Sequence, residues 1–218
     1  FQYMRFKAFE KVIPEINKLS LPGLETQLKM APSFRKKLIE HFIEARKSAK
    51  LAAVLSLFYP SSTGDTNIVL ILRKVYNGVH SAQVGFPGGK PELEDASLKD
   101  TAVRETWEEI GVSSEKITVF REISPIYIPP SNFQVHPFVG ISKLPLKFIL
   151  QESEVEAVIE VSISDFLNDD FEVNSTVLDT EGVPHLVPSF IFNGHVVWGA
   201  TAMVLIEIKT MLNLVLKK

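Results

Sequence analysis

The spacing of apolar positions changes character along the chain. Up to about residue 50 it is helical: Phe9, Val12, Ile13, Ile16 and Leu19 recur at three- and four-residue steps, and Phe34, Leu38, Phe42 and Ile43 do so again. Pro22-Gly23 and Pro32 interrupt the stretch. Residues 1–50 are therefore predicted to form an N-terminal helical extension packed on the main domain. Its amphipathic surface leaves two other uses open, a flap over a site or a homodimer contact. From residue 51 the pattern is mixed. Ala52 to Phe58 and Asn67 to Leu72 read as two strands of one hairpin, joined through Pro60-Ser61-Ser62-Thr63-Gly64-Asp65. Val84 to Gly89 reads as a short extended piece entering a glycine turn, followed by a helix over about 97–110. Further strands are predicted at Ile117 to Ile123, Phe133 to Ile141 and Val155 to Val161, with a short helix running to Leu167. His185 to Phe192 and His195 to Val197 flank Asn193-Gly194, a strong hairpin turn. Thr201 to Leu214 reads as a closing helix. These elements give an α/β sandwich, a mixed sheet between helices, over residues 51–218.

Composition narrows the classes of function. A net charge of −3 argues against a broad nucleic-acid-binding surface, while a local basic pocket for phosphates stays open. Zero cysteines exclude disulfides and thiol catalysis and suit a cytoplasmic setting. No apolar run reaches about 18 residues, so no membrane partner is expected. No secretory signal pattern opens the chain.

The predicted helix at 97–110 carries the chemistry. Ser97 followed by Asp100 approximates a capping box, and Gly111 is placed to end the helix. Glu105, Glu108 and Glu109 stand three and four residues apart, a spacing at which like charges repel and weaken a helix. A cation on the cluster would relieve that repulsion. Hard oxygen ligands suit Mg²⁺ or Mn²⁺, which commonly bridge carboxylates to phosphates. The competing reading of three glutamates on their own is a solvated helix face.

The neighbours of the cluster shift the balance. Gly89, then Arg104, Glu105, Glu108, Glu109, Gly111 and Val112, resemble the Nudix box, the signature of the Nudix hydrolases. Thr106 takes a position that is aliphatic in that pattern. The central acid falls at Asp95, with eight residues between it and Arg104 where the pattern has seven. That spacing, the approach His80 to Gly89 and the late segment Trp198-Gly199-Ala200-Thr201-Ala202 are similar to the coenzyme A diphosphatase branch. Arg73 and Phe86 to Gly89 match that branch upstream of the box. Lys74, Gly78 and Ala82 depart from it at a Ser, an Arg and a Gly.

The resemblance implies a Nudix-type α/β/α sandwich and a metal-dependent diphosphatase using Mg²⁺ or Mn²⁺. It implies Glu105, Glu108 and Glu109 as metal ligands, with a backbone carbonyl from Gly89, and a water attacking phosphorus. Arg104 is expected to orient a box carboxylate. Asp95 is equally well read as closing the loop onto the helix or as a simple cap acid. A further acid from outside the box is expected among Glu152, Glu154 and Glu156, with Glu154 preferred because Glu-Val before an apolar run is similar to the branch. Arg73 and Lys90 are candidate contacts for substrate phosphates. CoA or an acyl-CoA is the leading substrate, cleaved to 4′-phosphopantetheine (or its acyl form) and adenosine 3′,5′-bisphosphate. ADP-ribose, NADH or another nucleotide is the first alternative, and a non-catalytic nucleotide sensor the second. Other constellations fall away. The histidines lack metal spacing, Gly88-Gly89-Lys90 is not a Walker A loop because Pro91 takes the Ser/Thr place, and no Gly-x-Ser-x-Gly elbow is present.

Overall fold

The computed structural model describes residues 4–33, 48–74, 83–178 and 182–216. Phe34, Leu38, His41, Phe42, Ile43, Gly78, His80 and Ala82 lie outside the described residues. The main sheet is built around β1 (Lys50–Pro60). This strand pairs antiparallel with β2 (Thr66–Arg73) through Phe58–Pro60 and with the short β4 (Gly88–Gly89) through Ala53 and Val54. On its other side it pairs in parallel with β7 (Phe133–Ile141) over Lys50–Phe58. β3 (Val84–Gly85) and β8 (Val155–Ser162) flank β2, and β5 (Thr118–Glu122) and β6 (Ile126–Ile128) flank β7. The result is a mixed sheet. A second sheet, β9 (Glu172–Leu178), β10 (Pro184–Phe192) and β11 (His195–Trp198), is antiparallel throughout.

A central strand has two faces to bury, and side chains alternate between them. Ala53, Leu55, Leu57 and Tyr59 of β1 join Val69 and Ile71 of β2 under a helix, α3 (Leu98–Ile110), where Ala102 and Ile110 meet them. Ala52 and Phe58, with Ile68 and Leu70, face the other way. There they meet α1 (Phe6–Lys18) and the closing helix α5 (Gly199–Leu216). The short helices α2 (Gly23–Gln27) and α4 (Ile163–Leu167) complete the described set. This is the α/β/α sandwich expected of the pattern, with a helix at the N-terminal end.

The helix α1 packs into the same core as the sheet. Phe6, Phe9 and Ile16 are buried, and the Phe9 ring lies 4.7 Å from that of Phe58. The guanidinium of Arg121 donates to the carbonyls of Ile16 and Leu19, satisfying groups that the end of α1 leaves free. Phe9→Ala is expected to cost about 3–5 kcal/mol in chemical denaturation, because it opens a large cavity beside Phe58. A cost below about 1 kcal/mol would mean that the helix is only loosely attached.

The sequence expectation about membrane-length segments needs qualification. Gly199–Leu216 is 18 residues long with a mean hydropathy of 1.5, enough to cross a membrane by length and composition. Two thirds of it (67%) is buried inside the fold. Its charged residues are paired there: Glu207 accepts from Gly23 N–H, Gln27 and Ser124, while Lys209 binds Asp169 and Glu172. It is the core helix of the sandwich.

Candidate active site

The site is assembled where β4 meets α3. Both ends of α3 follow from local chemistry. Ser97 at the N-cap accepts from Asp100 N–H, and Gly111 takes the left-handed conformation (φ 72°) that closes the last turn. Gly88 and Gly89 let the turn lie flush between β1 and α3. A Cβ on Gly89 would come within 2.4 Å of Glu105 Oε1, so the missing side chain is what brings the backbone against that carboxylate.

The three glutamates have three different environments. Successive helical residues are about 100° apart, so Glu105 and Glu109 point inward while Glu108 turns toward solvent. Glu109 is buried, with a side chain only 2% exposed. Its Oε2 accepts from Gly88 N–H at 2.8 Å, and its Oε1 lies 3.4 Å from Arg73 NH1. Burial pushes its pKa up to about 7; Arg73 and the Gly88 N–H oppose that, and the charges of Glu105 and Glu154 add to it. Glu105 is raised chiefly by burial, which Arg104 opposes, with smaller upward pushes from Glu108 and Glu154. Both shifts draw on the charge of Glu154, the residue before β8, so this acid belongs to the same electrostatic cluster. Glu152 is exposed in the same turn, and Glu156 pairs with Lys74 at 3.0 Å.

Arg104 organises the outer half of the site. Its Nε and NH2 grip the two oxygens of Asp95 at 3.0 Å each, NH1 reaches Glu108 at 2.8 Å and Glu105 at 3.2 Å, and NH2 also donates to Lys90 O at 2.9 Å. One planar fork thus ties the loop at 90–95 to two box carboxylates. Asp95 also accepts from Glu92 N–H and Thr101, so it closes the loop onto the helix. The Arg104 fork holds its pKa down at about 2. A carboxyl depressed in the folded state stabilises the fold above its ordinary value near 4, and that contribution is lost as pH falls toward 2. Asp95→Asn is therefore expected to cost about 1–2 kcal/mol at pH 7, after allowance for solvent screening. The difference from the unaltered protein should vanish in acid melts near pH 2. An equal difference at both pH values would contradict the ion-pair origin.

The two expected phosphate contacts are placed differently. Arg73, at a bulge at the end of β2, spends its guanidinium on Glu109 and on Gly88 O at 3.0 Å. The Lys90 amine lies 5.6 Å over the Phe133 ring. Among the described residues, no three carboxylates converge into a ready cage for a cation. The donor set still fits one. It is all oxygen, it sets the carboxylates of Glu105, Glu108, Glu109 and Glu154 against Arg73 and Arg104, and Gly89 brings its backbone against Glu105. Finally, Thr201 of α5 donates to Val84 O at 3.0 Å, joining the late Trp198–Ala202 segment to the approach that leads into the glycine turn.

A family model described as the NUDIX domain matches residues 50–179, more than half of the chain. The chain belongs to the Nudix family. Among curated relatives, Nudix hydrolase 22, chloroplastic, of Arabidopsis thaliana is 33% identical over 177 residues, 78% of this chain and 58% of that protein. The uncharacterized Nudix hydrolase NudL of Yersinia pestis (strain Pestoides F) is 28% identical over 141 residues, 65% of this chain and 70% of that one. The chain thus spans less than two thirds of the Arabidopsis relative. A solved MutT/nudix family protein from Enterococcus faecalis shares the fold, with a TM-score of 0.51 at 17% identity over 86% of this chain and 76% of that one.

Within this Nudix site, the structure brings together the box glutamates, Asp95 and Arg104, which the sequence pattern singles out. The pattern missed the Arg73–Glu109 pair and the Gly88 N–H bond. Both join segments more than 20 residues apart, and no local pattern announces them.

Proposed function

We propose that this chain is a Mg²⁺- or Mn²⁺-dependent diphosphatase acting on CoA or acyl-CoA. It would release 4′-phosphopantetheine (or its acyl form) and adenosine 3′,5′-bisphosphate. The observation that carries the hydrolytic reading is the inward pair Glu105 and Glu109 beside Gly89, both raised chiefly by burial and further by neighbouring glutamates, a gathering of carboxylates that a divalent cation would neutralise. Glu105, Glu109, Glu108 and the Gly89 carbonyl would hold the ion. A bound ion would supply Lewis acidity and an activated water. Arg104 keeps Glu105 and Glu108 oriented, and Glu154 stands beside both inward carboxylates as the candidate general base. The CoA reading is supported by the branch resemblance of Phe86–Gly89 and Trp198–Ala202, two segments joined through Thr201 and Val84.

Lys74, Gly78 and Ala82 favour a second reading, the same chemistry on ADP-ribose or NADH. A Mg²⁺-dependent hydrolysis panel of CoA, acetyl-CoA, ADP-ribose, NADH and diadenosine polyphosphates separates the two. Turnover of CoA with release of adenosine 3′,5′-bisphosphate is expected. Robust turnover of ADP-ribose with none of CoA would sink the CoA reading and keep the chemistry. Nucleotide binding without turnover of any member would move the protein to the sensor class.

A further inference from the structure

Both oxygens of Glu109 already have a partner. Oε2 of Glu109 is taken by Gly88 N–H at 2.8 Å, and Oε1 faces Arg73 NH1 at 3.4 Å. Each oxygen keeps a further lone pair for an ion, but a divalent cation on Oε1 would stand close to the Arg73 charge and repel it, whereas the neutral Gly88 N–H could stay. The two are not equally able to move. Gly88 is fixed in β4 by its pairing with Val54, and its backbone is wedged so tightly that a Cβ would sit 2.2 Å from Ala53 O. Arg73 is at the end of β2, at a bulge, with a side chain 27% exposed against 2% for Glu109. Its distance to Glu109 is also longer than the roughly 2.7–2.9 Å of a tight charge-assisted bond. Its firmer bond is the one to Gly88 O, at 3.0 Å, at the turn that carries Gly89.

We propose that Arg73 is an exchangeable counter-ion: it neutralises Glu109 in the metal-free site, gives the carboxylate up to a divalent cation, and is thereby released toward the substrate's diphosphate. The proposal rests on the metal-dependent reading above. A buried carboxylate needs a charge partner at every stage, and this exchange provides one before and after the ion arrives. It also couples the two ligands of the site. The guanidinium becomes available to a phosphate only when the ion is in place, so metal would strengthen nucleotide binding and nucleotide would strengthen metal binding by the same factor. Arg73 then acts as a positioning residue in the free protein and as a substrate contact in the loaded one.

The alternative is an Arg73 that permanently orients Glu109 for the ion. The two roles predict opposite signs. Calorimetric titration of the metal-stripped protein with Mn²⁺ is the test, comparing the unaltered chain with Arg73→Gln. Removing a competitor should tighten Mn²⁺ binding by about three-fold or more, while KM for CoA rises by about ten-fold or more. Weaker or unchanged Mn²⁺ binding in the variant would overturn the proposal. Absence of Mn²⁺ binding by the unaltered chain would overturn the metal reading itself, a distinct result. Should Arg73→Gln fail to fold, the Arg73 Nε–H resonance of the unaltered ¹⁵N-labelled protein, assigned with Arg73→Lys, decides the matter. It should shift on Mg²⁺ saturation, and a resonance that stays in place would count against exchange.

Discussion

Replacing Glu109 by glutamine is expected to lower Mg²⁺-dependent diphosphate hydrolysis by about a thousand-fold or more while leaving the chain folded. Glutamine keeps the shape and an oxygen to accept from Gly88 N–H, so the link between α3 and the glycine turn survives. It loses the charge. The stability cost should be about 1–2 kcal/mol, because Arg73 loses its ion pair but keeps Gly88 O and partial access to solvent. Relief of a buried charge whose pKa is already pushed to about 7 works in the other direction. Steady-state kinetics with a parallel denaturant melt separates the two effects. A variant retaining more than about a tenth of the activity would show that Glu109 is a structural acid rather than part of the metal-binding set.

The adjacent glycines should fail in different ways. Gly88 has φ 152°, and a Cβ there would lie 2.2 Å from Ala53 O and 2.6 Å from Val54 Cα. Both are backbone atoms of the central strand and cannot step aside. Gly88→Ala is expected to destabilise the fold by at least about 3 kcal/mol. At Gly89 the obstruction is the Glu105 carboxylate, with its nearest oxygen at 2.4 Å from the added atom. A side chain can swing away where backbone cannot. Gly89→Ala should therefore fold with a loss of roughly 1 kcal/mol or less, yet cost about ten- to a hundred-fold in kcat by displacing Glu105. Similar melting temperatures for the two variants would contradict this division of roles.

The elements that local chemistry dictates were legible in the sequence. Ser97 and Gly111 bound α3 as their residue types predict, and Asn193-Gly194 turns β10 into β11 with positive φ at both residues. β9 was not legible. Glu-Val-Asn-Ser-Thr-Val-Leu is half polar, lies between Leu167 and His185 where the pattern predicts no element, and becomes a strand through its pairing with β10. The parallel pairing of β1 with β7 joins segments some 80 residues apart, beyond any local signal. At the site, spacing put the glutamates on one helix but could not say which would be buried. Glu105 to Glu109 is a 40° step around the helix axis and Glu108 to Glu109 a 100° step, so two turn inward and one outward. Which cations neutralise them depends on where β2 and the loop at 90–95 come to rest, and that is tertiary structure.

The central claim is that the box carboxylates serve metal-dependent cleavage of a diphosphate. The most direct test incubates the protein with CoA, and in parallel with ADP-ribose, in the presence of Mg²⁺, with Mn²⁺, and with chelator, and separates the products by chromatography. Release of adenosine 3′,5′-bisphosphate that requires a divalent ion is the predicted result. A protein that binds CoA and ADP-ribose but cleaves neither at any Mg²⁺ or Mn²⁺ concentration would contradict it.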